Sequence, residues 1–390
     1  MSISGAVRRT LGAVLALVLV AGCSLAGPRD EADRSEELPG YVAGPYVVRT
    51  GAVLGTPVAD TETQAAEHPV VARLLELIAH TPHGERIRII TRSFSLHPVA
   101  DALVLAHQRG VDVQIIANPI SRDFRAVAKM EKEIGTDRSK DSFIHLSRGS
   151  RRGPGTAVHQ KTWTFTRVGD SRHVVMAGSA NLSYYSTQQY SDMYVFAGRA
   201  RLWRAFDEDF RDQVGRRDPV GPGYAPRVGE DQLWFFPGWD EDTDPLQALI
   251  RDLPARGTVL RFAMYAWHSD RGRRLAELVA ARARAGAEVQ VISLHIGQEI
   301  VRTLEAAGAQ VHGAKFDNGN DVHSKLSLLA WTGPDGVRHR RIVTGSDNFG
   351  SDSLPRDELA MSIAADRDPS WRAYVRWYDA MIARAVGEGH

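Results

Sequence analysis

The stretch HQKTWTFTRVGDSRHVVMAGSAN, His159–Asn181, decides the fold prediction because it places two polar motifs at the ends of a strand–turn–strand pattern. Apolar and β-branched residues flank the turn residues Gly169-Asp170, which predicts an antiparallel β-hairpin. The motif HxK opens the first strand, and the motif GSxN follows the second strand. The antiparallel return of the chain therefore brings Asn181 back near His159.

The same pair of motifs occurs a second time, in HSKLSLLAWTGPDGVRHRRIVTGSDN, His323–Asn348. The distances from His to the Gly of GSxN are 19 and 22 residues in the two copies. The chain contains 14 His but only 6 Lys against 42 Arg, so random placement predicts about 0.2 HxK triplets. A single HxK would favour a strand end with mixed polar residues, whereas two copies with GSxN favour a functional site.

These residue types suit chemistry at a phosphodiester. One imidazole can attack phosphorus while the other handles the leaving oxygen. Lysine supplies a compact point charge with three donors, where arginine supplies a planar fork. The candidate catalytic residues are His159, Lys161, Asn181, His323, Lys325 and Asn348.

The N-terminus predicts a targeting segment. Arg8-Arg9 precede an apolar run, Leu11–Val20, that is too short to span a bilayer. Val20-Ala21-Gly22-Cys23 then resembles a bacterial lipobox, in which the Cys is lipidated, and Cys23 is the only Cys of the chain. We therefore expect a lipoprotein on the extracytoplasmic face of a bacterial cell membrane. The alternative is an ordinary secretory signal with an incidental Cys.

Four segments follow from composition and length. They are a lipoprotein signal peptide at 1–22, a lipid-anchored flexible tether at 23–45, a first repeat at 46–222 and a second repeat at 223–390. The boundary between repeats is placed in the Gly-, Pro- and Arg-rich stretch 216–229. The two repeats together are long enough for two domains of ordinary size.

Net charge bears on the partners. The formal charge is +1, and it becomes −1 without Arg8 and Arg9. A nearly neutral mature chain argues against nucleic-acid binding driven by net charge, although a local basic patch would still allow it.

The repetition extends beyond the motifs. Each half contains a helical pattern, an apolar strand, a second helix that ends at a Gly, and another apolar strand, which predicts a parallel βαβ unit. The first half has helix 68–79, strand 86–91, helix 99–109, Gly110 and strand 111–116. The second half has helix 245–253, strand 258–265, helix 273–285, Gly286 and strand 287–292.

With these motifs the chain resembles the phospholipase D superfamily, whose signature is HxK, an Asp five residues after the Lys, and GSxN. The resemblance implies an α/β fold of two pseudo-symmetric phospholipase D-like repeats, each a mixed β-sheet flanked by helices, with the active site at their interface. It also implies a monomer with an intramolecular pseudo-dimer, and no metal or other cofactor. The chain departs from the signature at Thr166 and Ala330, where the family has Asp. That Asp is regarded mainly as an architectural residue, and the tyrosyl-DNA phosphodiesterase branch works without it.

The resemblance also implies roles for the motif residues. His159 is expected to be the nucleophile and His323 the general acid and base, although the sequence itself cannot orient the pair. Lys161, Lys325, Asn181 and Asn348 are expected to surround the non-bridging phosphate oxygens.

Four further residues are expected to support the phosphate site. Ser179 and Ser346 would add hydroxyl or backbone donors, and the Gly before each Ser would let the backbone approach the phosphate closely. Members of the family often place an acid after GSxN, and aligning strand 192–196 with 358–363 nominates Asp192 and Glu358 to orient the imidazoles.

Three functions remain open on these residues. The first is hydrolysis or transfer of phospholipid headgroup esters through a phosphohistidine intermediate, with the membrane reached through lipidated Cys23. The second is a metal-independent nuclease of the same superfamily, with nucleic acid as the less favoured partner. The third is a catalytically degenerate lipoprotein that binds phosphate-bearing ligands.

Overall fold

A computed structural model describes residues 40–149, 156–215, 223–254 and 257–390. The predicted signal peptide, Cys23, most of the predicted tether and residues 216–222 of the predicted boundary lie outside these ranges. The sites and boundaries predicted there stay predictions.

Eight α-helices lie within the described residues, and four short 3-10 turns join other elements. The helices are α1 Pro69–Ala79, α2 His97–Gln108, α3 Arg125–Glu133, α4 Ala200–Gly215, α5 Pro245–Arg251, α6 Ser269–Arg284, α7 Gln298–Glu305 and α8 Ser370–Glu388.

Sixteen strands form two mixed sheets of eight strands each among the described residues. The strands are β1 Gly51–Gly55, β2 Arg86–Thr91, β3 Asp112–Ala117, β4 Phe143–Leu146, β5 Thr162–Val168, β6 Ser171–Gly178, β7 Gln189–Phe196, β8 Arg227–Val228, β9 Asp231–Phe235, β10 Val259–Trp267, β11 Glu288–Ile296, β12 Gln310–Gly313, β13 Asp321–Val322, β14 Lys325–Thr332, β15 Arg338–Gly345 and β16 Leu359–Ala364.

The strand orders show the duplication. The first sheet runs β4-β3-β2-β5-β6-β7-β1, and the second runs β12-β11-β10-β14-β15-β16-β9-β8. In each sheet three parallel strands meet an antiparallel set that begins with the motif hairpin, β5-β6 or β14-β15. The predicted α/β fold of two repeats, each a mixed sheet flanked by helices, is confirmed.

Local sequence explains the element ends. Pro occupies the first or second position of α1, α2 and α5, where its missing N–H costs no intrahelical bond. Gly110 and Gly286 follow α2 and α6 with φ of +85° and +105°, so each supplies the left-handed residue that stops the helix.

Three main hydrophobic clusters hold the layers together. One packs α1–α3 against the first sheet, and another packs α5–α7 against the second sheet. The third joins the halves, since it combines residues of both sheets with α4 and α8, for example Val175, Phe206, Ile342 and Tyr374. Because β13, from the second half, also pairs with β7, the two repeats share backbone as well as side-chain contacts. Among the described residues, no helix is both long and apolar enough to cross a membrane.

A close approach of strands explains the Gly of each GSxN. A Cβ on Gly178 would lie 2.2 Å from the carbonyl oxygen of Asp192, and one on Gly345 would lie 2.1 Å from that of Leu359. The backbone of the neighbouring strand therefore requires glycine at both positions. The requirement for glycine here thus comes from close strand packing and not from an approach of the backbone to phosphate.

We predict that Gly345→Ala lowers the free energy of unfolding by about 1–3 kcal/mol, because the added methyl overpacks the contact with β16. Urea unfolding followed by circular dichroism measures the change. The matched control is Gly387→Ala in α8, where a Cβ meets nothing within 4 Å and should be neutral or stabilising. Equal stability of wild type and Gly345→Ala would contradict the packing argument.

Candidate active site

A pocket of about 480 Å³ lies where the motifs of the two halves meet. It is lined by Arg92, His159, Asn181, Tyr185, Gln189, Tyr265, Ala266, His268, His295, His323, Asn348, Asp352 and Arg356. The structure thus brings both motif histidines and both motif asparagines to one cavity, with residues from both repeats on its walls.

Backbone hydrogen bonds across the two halves hold the histidines. The N–H of His159 donates to the carbonyl of Asp357 at 3.0 Å, and the N–H of His323 donates to the carbonyl of Tyr190 at 2.9 Å. Each histidine is therefore fixed by backbone of the opposite repeat, within the first residues of β7 or just before β16.

Strand register corrects the predicted pairing of acids. Gly178 lies opposite Met193 in the first sheet, and Gly345 lies opposite Ala360 in the second. Counting back from these pairs, Glu358 corresponds to Ser191, and Asp192 corresponds to Leu359. The sequence alignment of Asp192 with Glu358 was wrong by one residue.

Glu358 contacts the imidazole of His159. Its Oε1 lies 2.6 Å from His159 Nδ1, and its Oε2 accepts a hydrogen bond from Ser346 Oγ at 2.5 Å. The carboxylate is fully buried, and this burial raises the pKa of Glu358 to about 8. Burial and the nearby lysines and arginines hold the pKa of His159 well below its usual range. With Nδ1 against the carboxylate, Nε2 is the atom left for the pocket.

His323 has a different partner. Its Nδ1 lies 3.0 Å from the carbonyl oxygen of Ser179, and a carbonyl can only accept, so the ring proton belongs on Nδ1. Ser191, which corresponds to Glu358, has a buried hydroxyl without a hydrogen-bond partner among the described residues. Burial and the charge of Lys325 lower the pKa of His323 well below its ordinary value.

Asp192 organises both motifs without touching an imidazole in the described contacts. Its Oδ1 accepts from Ser179 at 2.8 Å and from Ser324 at 2.7 Å. Its Oδ2 accepts from Thr344 at 2.5 Å and from Tyr374 at 2.8 Å. The carboxylate is therefore saturated by four hydroxyls, and it ties the first GSxN to the second HxK.

The two motif lysines are buried beside the pocket. Lys161 donates to the carbonyl of His159, and Lys325 donates to that of His323 at 2.5 Å. Burial lowers the pKa of Lys161 well below its ordinary value and lowers that of Lys325 to about 7. An anion bound between these ammonium groups would oppose the effect of burial and raise both pKa values.

The asparagines present unused polar atoms. The Oδ1 atoms of Asn181 and Asn348 are buried and lack a hydrogen-bond partner among the described residues. Arg271 fixes the second asparagine loop, since its Nη1 donates to Asp347 at 2.7 Å and to the carbonyl of Asn348 at 2.9 Å. Its Nε donates to Asp244 at 2.8 Å. Arg271 is wholly buried, a placement that its arginine-rich helix did not indicate.

The positions of the missing family Asp lie far along the hairpin from the pocket. Five residues of strand separate Lys161 from Thr166, a distance of about 16 Å. There Thr166 Oγ1 donates to Glu85 at 2.7 Å and accepts from the N–H of Arg86 at 2.8 Å. The side chain of Thr166 thus links β5 to the start of β2. Ala330 has no polar side chain, and it contacts β10 through the backbone pairing with Val259.

Sequence reasoning missed the two basic residues Arg92 and Arg356 of the pocket. Arg92 and Arg356 add positive charge, and Tyr185 and Tyr265 add aromatic walls. Arg92 follows the predicted strand 86–91 directly, and the carboxyl end of a parallel strand is a common place for ligand-binding side chains. That position was a usable signal. Arg356 lies outside any periodic element, so no comparable pattern marked it.

Comparison with known proteins bears on the family. Residues 74–214 match the family model described as "Cardiolipin synthase, PLD-like domain". This match over residues 74–214 supports membership of the phospholipase D superfamily. Members of this superfamily are enzymes that act on phosphodiesters. No curated protein sequence matches the chain.

Two solved structures share the fold of this chain. The phosphatidylserine synthase of Haemophilus influenzae aligns with a TM-score of 0.58 and 12% identity, over 91% of each chain. The polyphosphate kinase of Porphyromonas gingivalis aligns with a TM-score of 0.54 and 16% identity, over 91% of this chain. The chain spans only 56% of the length of that kinase.

We predict that anion binding is coupled to proton uptake. Dimethyl phosphate, which does not itself titrate near neutrality, should raise the pKa of Lys325 from about 7, so binding at about pH 8 takes up protons and weakens as pH rises further. Calorimetry in two buffers with different ionisation enthalpies measures the number of protons. Lys325→Met should reduce the uptake, and identical uptake in the variant and the wild type would contradict the assignment.

Proposed function

We propose that this protein is an extracytoplasmic phosphodiesterase that hydrolyses or transfers phospholipid headgroup esters through a phosphohistidine intermediate. The observation that carries the proposal is the meeting of both HxK and GSxN sets in one pocket, with the Nε2 atom of each histidine left for substrate. A catalytically degenerate binding protein would not need two such imidazoles.

The asymmetry of the acids assigns the two roles. When Glu358 is ionised, its Oε1, which lies 2.6 Å from Nδ1 of His159, favours a proton on Nδ1. That tautomer leaves a lone pair on Nε2, and the carboxylate favours the imidazolium-like charge that develops during attack. His323 has a backbone carbonyl at Nδ1, with the ammonium group of Lys325 at 3.4 Å and no carboxylate in the described contacts, so its protonated form is the stronger acid. His159 is therefore the nucleophile, and His323 protonates the leaving oxygen.

The proposed reaction has two steps, and His323 carries the proton in both. In the first, Nε2 of His159 bonds to phosphorus, the bond from phosphorus to the headgroup oxygen breaks, and that oxygen takes the proton of His323. In the second, water or an alcohol attacks phosphorus, its proton passes to His323, and the bond to His159 breaks. Lys161, Lys325 and the two motif asparagines stabilise the charge of the non-bridging oxygens in both transition states.

A surface loop beside the pocket supports a lipid substrate. Ile120 and Phe124 are 56% and 36% exposed, and they share a short segment with exposed Arg122 and Arg125. The segment borders the pocket, because Ser121 Oγ donates to the carbonyl of Arg92 at 3.3 Å. Exposed apolar side chains with adjacent arginines suit the interface of an anionic bilayer.

Membrane attachment fits the same substrate. A lipid on Cys23, followed by the predicted tether, would hold a monomeric enzyme beside its substrate and raise the effective substrate concentration. Nuclease activity is the competing outcome, and incubation with single-stranded DNA in EDTA tests it alongside mixed phospholipids.

We predict that the two histidine variants fail at different steps. A p-nitrophenyl diester carries a good leaving group that needs little protonation, so His323→Gln should release one burst of p-nitrophenolate and accumulate phosphohistidine. His159→Gln should give no burst, because the nucleophile is gone. Stopped-flow absorbance follows the burst, and intact-protein mass spectrometry detects the adduct.

The control for these variants is His312→Gln, because His312 lies on β12 and does not line the pocket. It should keep full turnover, and all three variants should keep the wild-type melting temperature. A phosphohistidine that forms in His159→Gln but not in His323→Gln would reverse the roles, and turnover in both would refute the mechanism.

We predict that Ile120→Ser with Phe124→Ser weakens binding to vesicles of phosphatidylglycerol and phosphatidylcholine by at least about tenfold, because two apolar side chains are lost from the interface. Cosedimentation measures binding, with Cys23→Ser in every chain so that no lipid anchor contributes. Turnover of the soluble p-nitrophenyl diester should not change, since neither residue lines the pocket.

The matched control replaces two exposed valines elsewhere, Val337→Ser with Val386→Ser, which are 49% and 58% exposed. If this pair weakens vesicle binding as much as the loop pair, the loop is not the docking surface.

A further inference from the structure

We propose that the pocket binds a second phosphate group of the substrate, next to the scissile phosphate, through Arg92 and Arg356. This inference rests on the proposed function and narrows its substrate class to phosphodiesters with an adjacent phosphate. Both arginines line the pocket, one from each repeat.

The site has more cationic side chains than the single negative charge of one phosphodiester can neutralise. A phosphodiester exposes two non-bridging oxygens and one negative charge. Lys161 and Lys325 with the two motif asparagines already supply two cations and two amides for those oxygens. Two further arginines would add two more cations to a phosphate that carries one negative charge and already has four donors, whereas their planar forks suit bidentate contact with a separate oxyanion.

Three carboxylates near the pocket, other than Asp352, are engaged away from the two arginines. Glu358 contacts His159, and Asp192 accepts from four hydroxyls. Asp321 accepts from Tyr185 at 2.8 Å and from Gln189 at 2.7 Å. These groups therefore leave the arginines available to a ligand.

Arg92 is a partly buried cation without a carboxylate partner among the described residues. Its backbone is fixed by the hydrogen bond from Ser121, at the end of β2. A guanidinium held at a pocket wall in this way gains most from a ligand that brings negative charge.

Arg356 is held at the wall by a partner that is itself half exposed. Its Nη2 lies 2.8 Å from Asp352 Oδ2, and the side chains of Arg356 and Asp352 are 25% and 44% exposed. The single carboxylate engages one edge of the guanidinium and leaves other N–H groups free for substrate. Both arginines also act on His159 and Lys161, lowering the pKa of each. Because both arginines line the same pocket as the motif histidines and asparagines, one ligand can reach all of them.

Isothermal titration of the full chain with orthophosphate and with pyrophosphate tests the proposal without turnover. Wild type should bind pyrophosphate at least about tenfold more tightly than orthophosphate, since the second phosphate gains charge-assisted hydrogen bonds. Arg92→Gln and Arg356→Gln should each lose most of that preference and change orthophosphate affinity by less than about twofold. Arg172→Gln is the control, because Arg172 is exposed at the far end of β6.

Each other outcome has a definite meaning. Equal loss of affinity for both anions would show that the arginines serve the scissile phosphate, and unchanged affinity would show that they touch no ligand; either overturns the proposal. A pyrophosphate preference without any phosphohistidine would instead preserve the subsite and defeat the proposed function. Turnover assays with a diphosphate-linked lipid and with an oligonucleotide then distinguish the two sources of neighbouring phosphates.

Discussion

The site depends on the backbone contact between the two repeats. His159 and His323 each donate a main-chain hydrogen bond to the opposite half, at Asp357 and Tyr190. These bonds are buried in the interface that the shared hydrophobic cluster forms, so neither imidazole can be positioned by its own repeat alone. A change that separated the halves would therefore remove the pocket.

The two repeats have matching backbones but different side chains beside the two histidines, and this difference bears on their roles. The same register that places Glu358 against His159 places Ser191 at the corresponding position near His323. One imidazole thus has a buried carboxylate, and the other has a carbonyl. A pseudo-twofold backbone alone cannot favour one histidine over the other as nucleophile. The exchange of one acid for one hydroxyl supplies the chemical difference that a directional reaction requires.

Much of this fold could be predicted from the sequence, because its signals are local. Helix stops at Gly110 and Gly286, apolar strands and the turn at Gly169-Asp170 all follow from short-range chemistry. Because the chain is duplicated, each of these helix and strand patterns occurs twice, which strengthened the prediction. The parallel βαβ unit and the motif hairpin of each half followed from those pairs, and both are confirmed. The complete strand order is seen only in the structure.

The errors and omissions concern register and long-range contact. Asp192 and Glu358 look equivalent in sequence because each is an acid at the start of a strand, but a shift of one residue reverses the face on which a side chain lies. Arg271 was overlooked for a similar reason, since its helix is rich in exposed arginines. Only the fold shows that this arginine is enclosed by Asp244 and Asp347.

Burial also explains why the empty site favours an anion. Two buried lysines lie beside a pocket that is lined by Arg92, Arg356 and the two motif histidines, and burial lowers the pKa of both lysines. Each lost proton reduces the mutual repulsion of these cations, so the empty pocket holds less positive charge than its composition suggests. A bound phosphate has the opposite effect, because its negative charge favours the protonated form of both lysines. Binding of the phosphate therefore raises the pKa of both lysines, so the ammonium groups that stabilise the transition state are charged while substrate is bound.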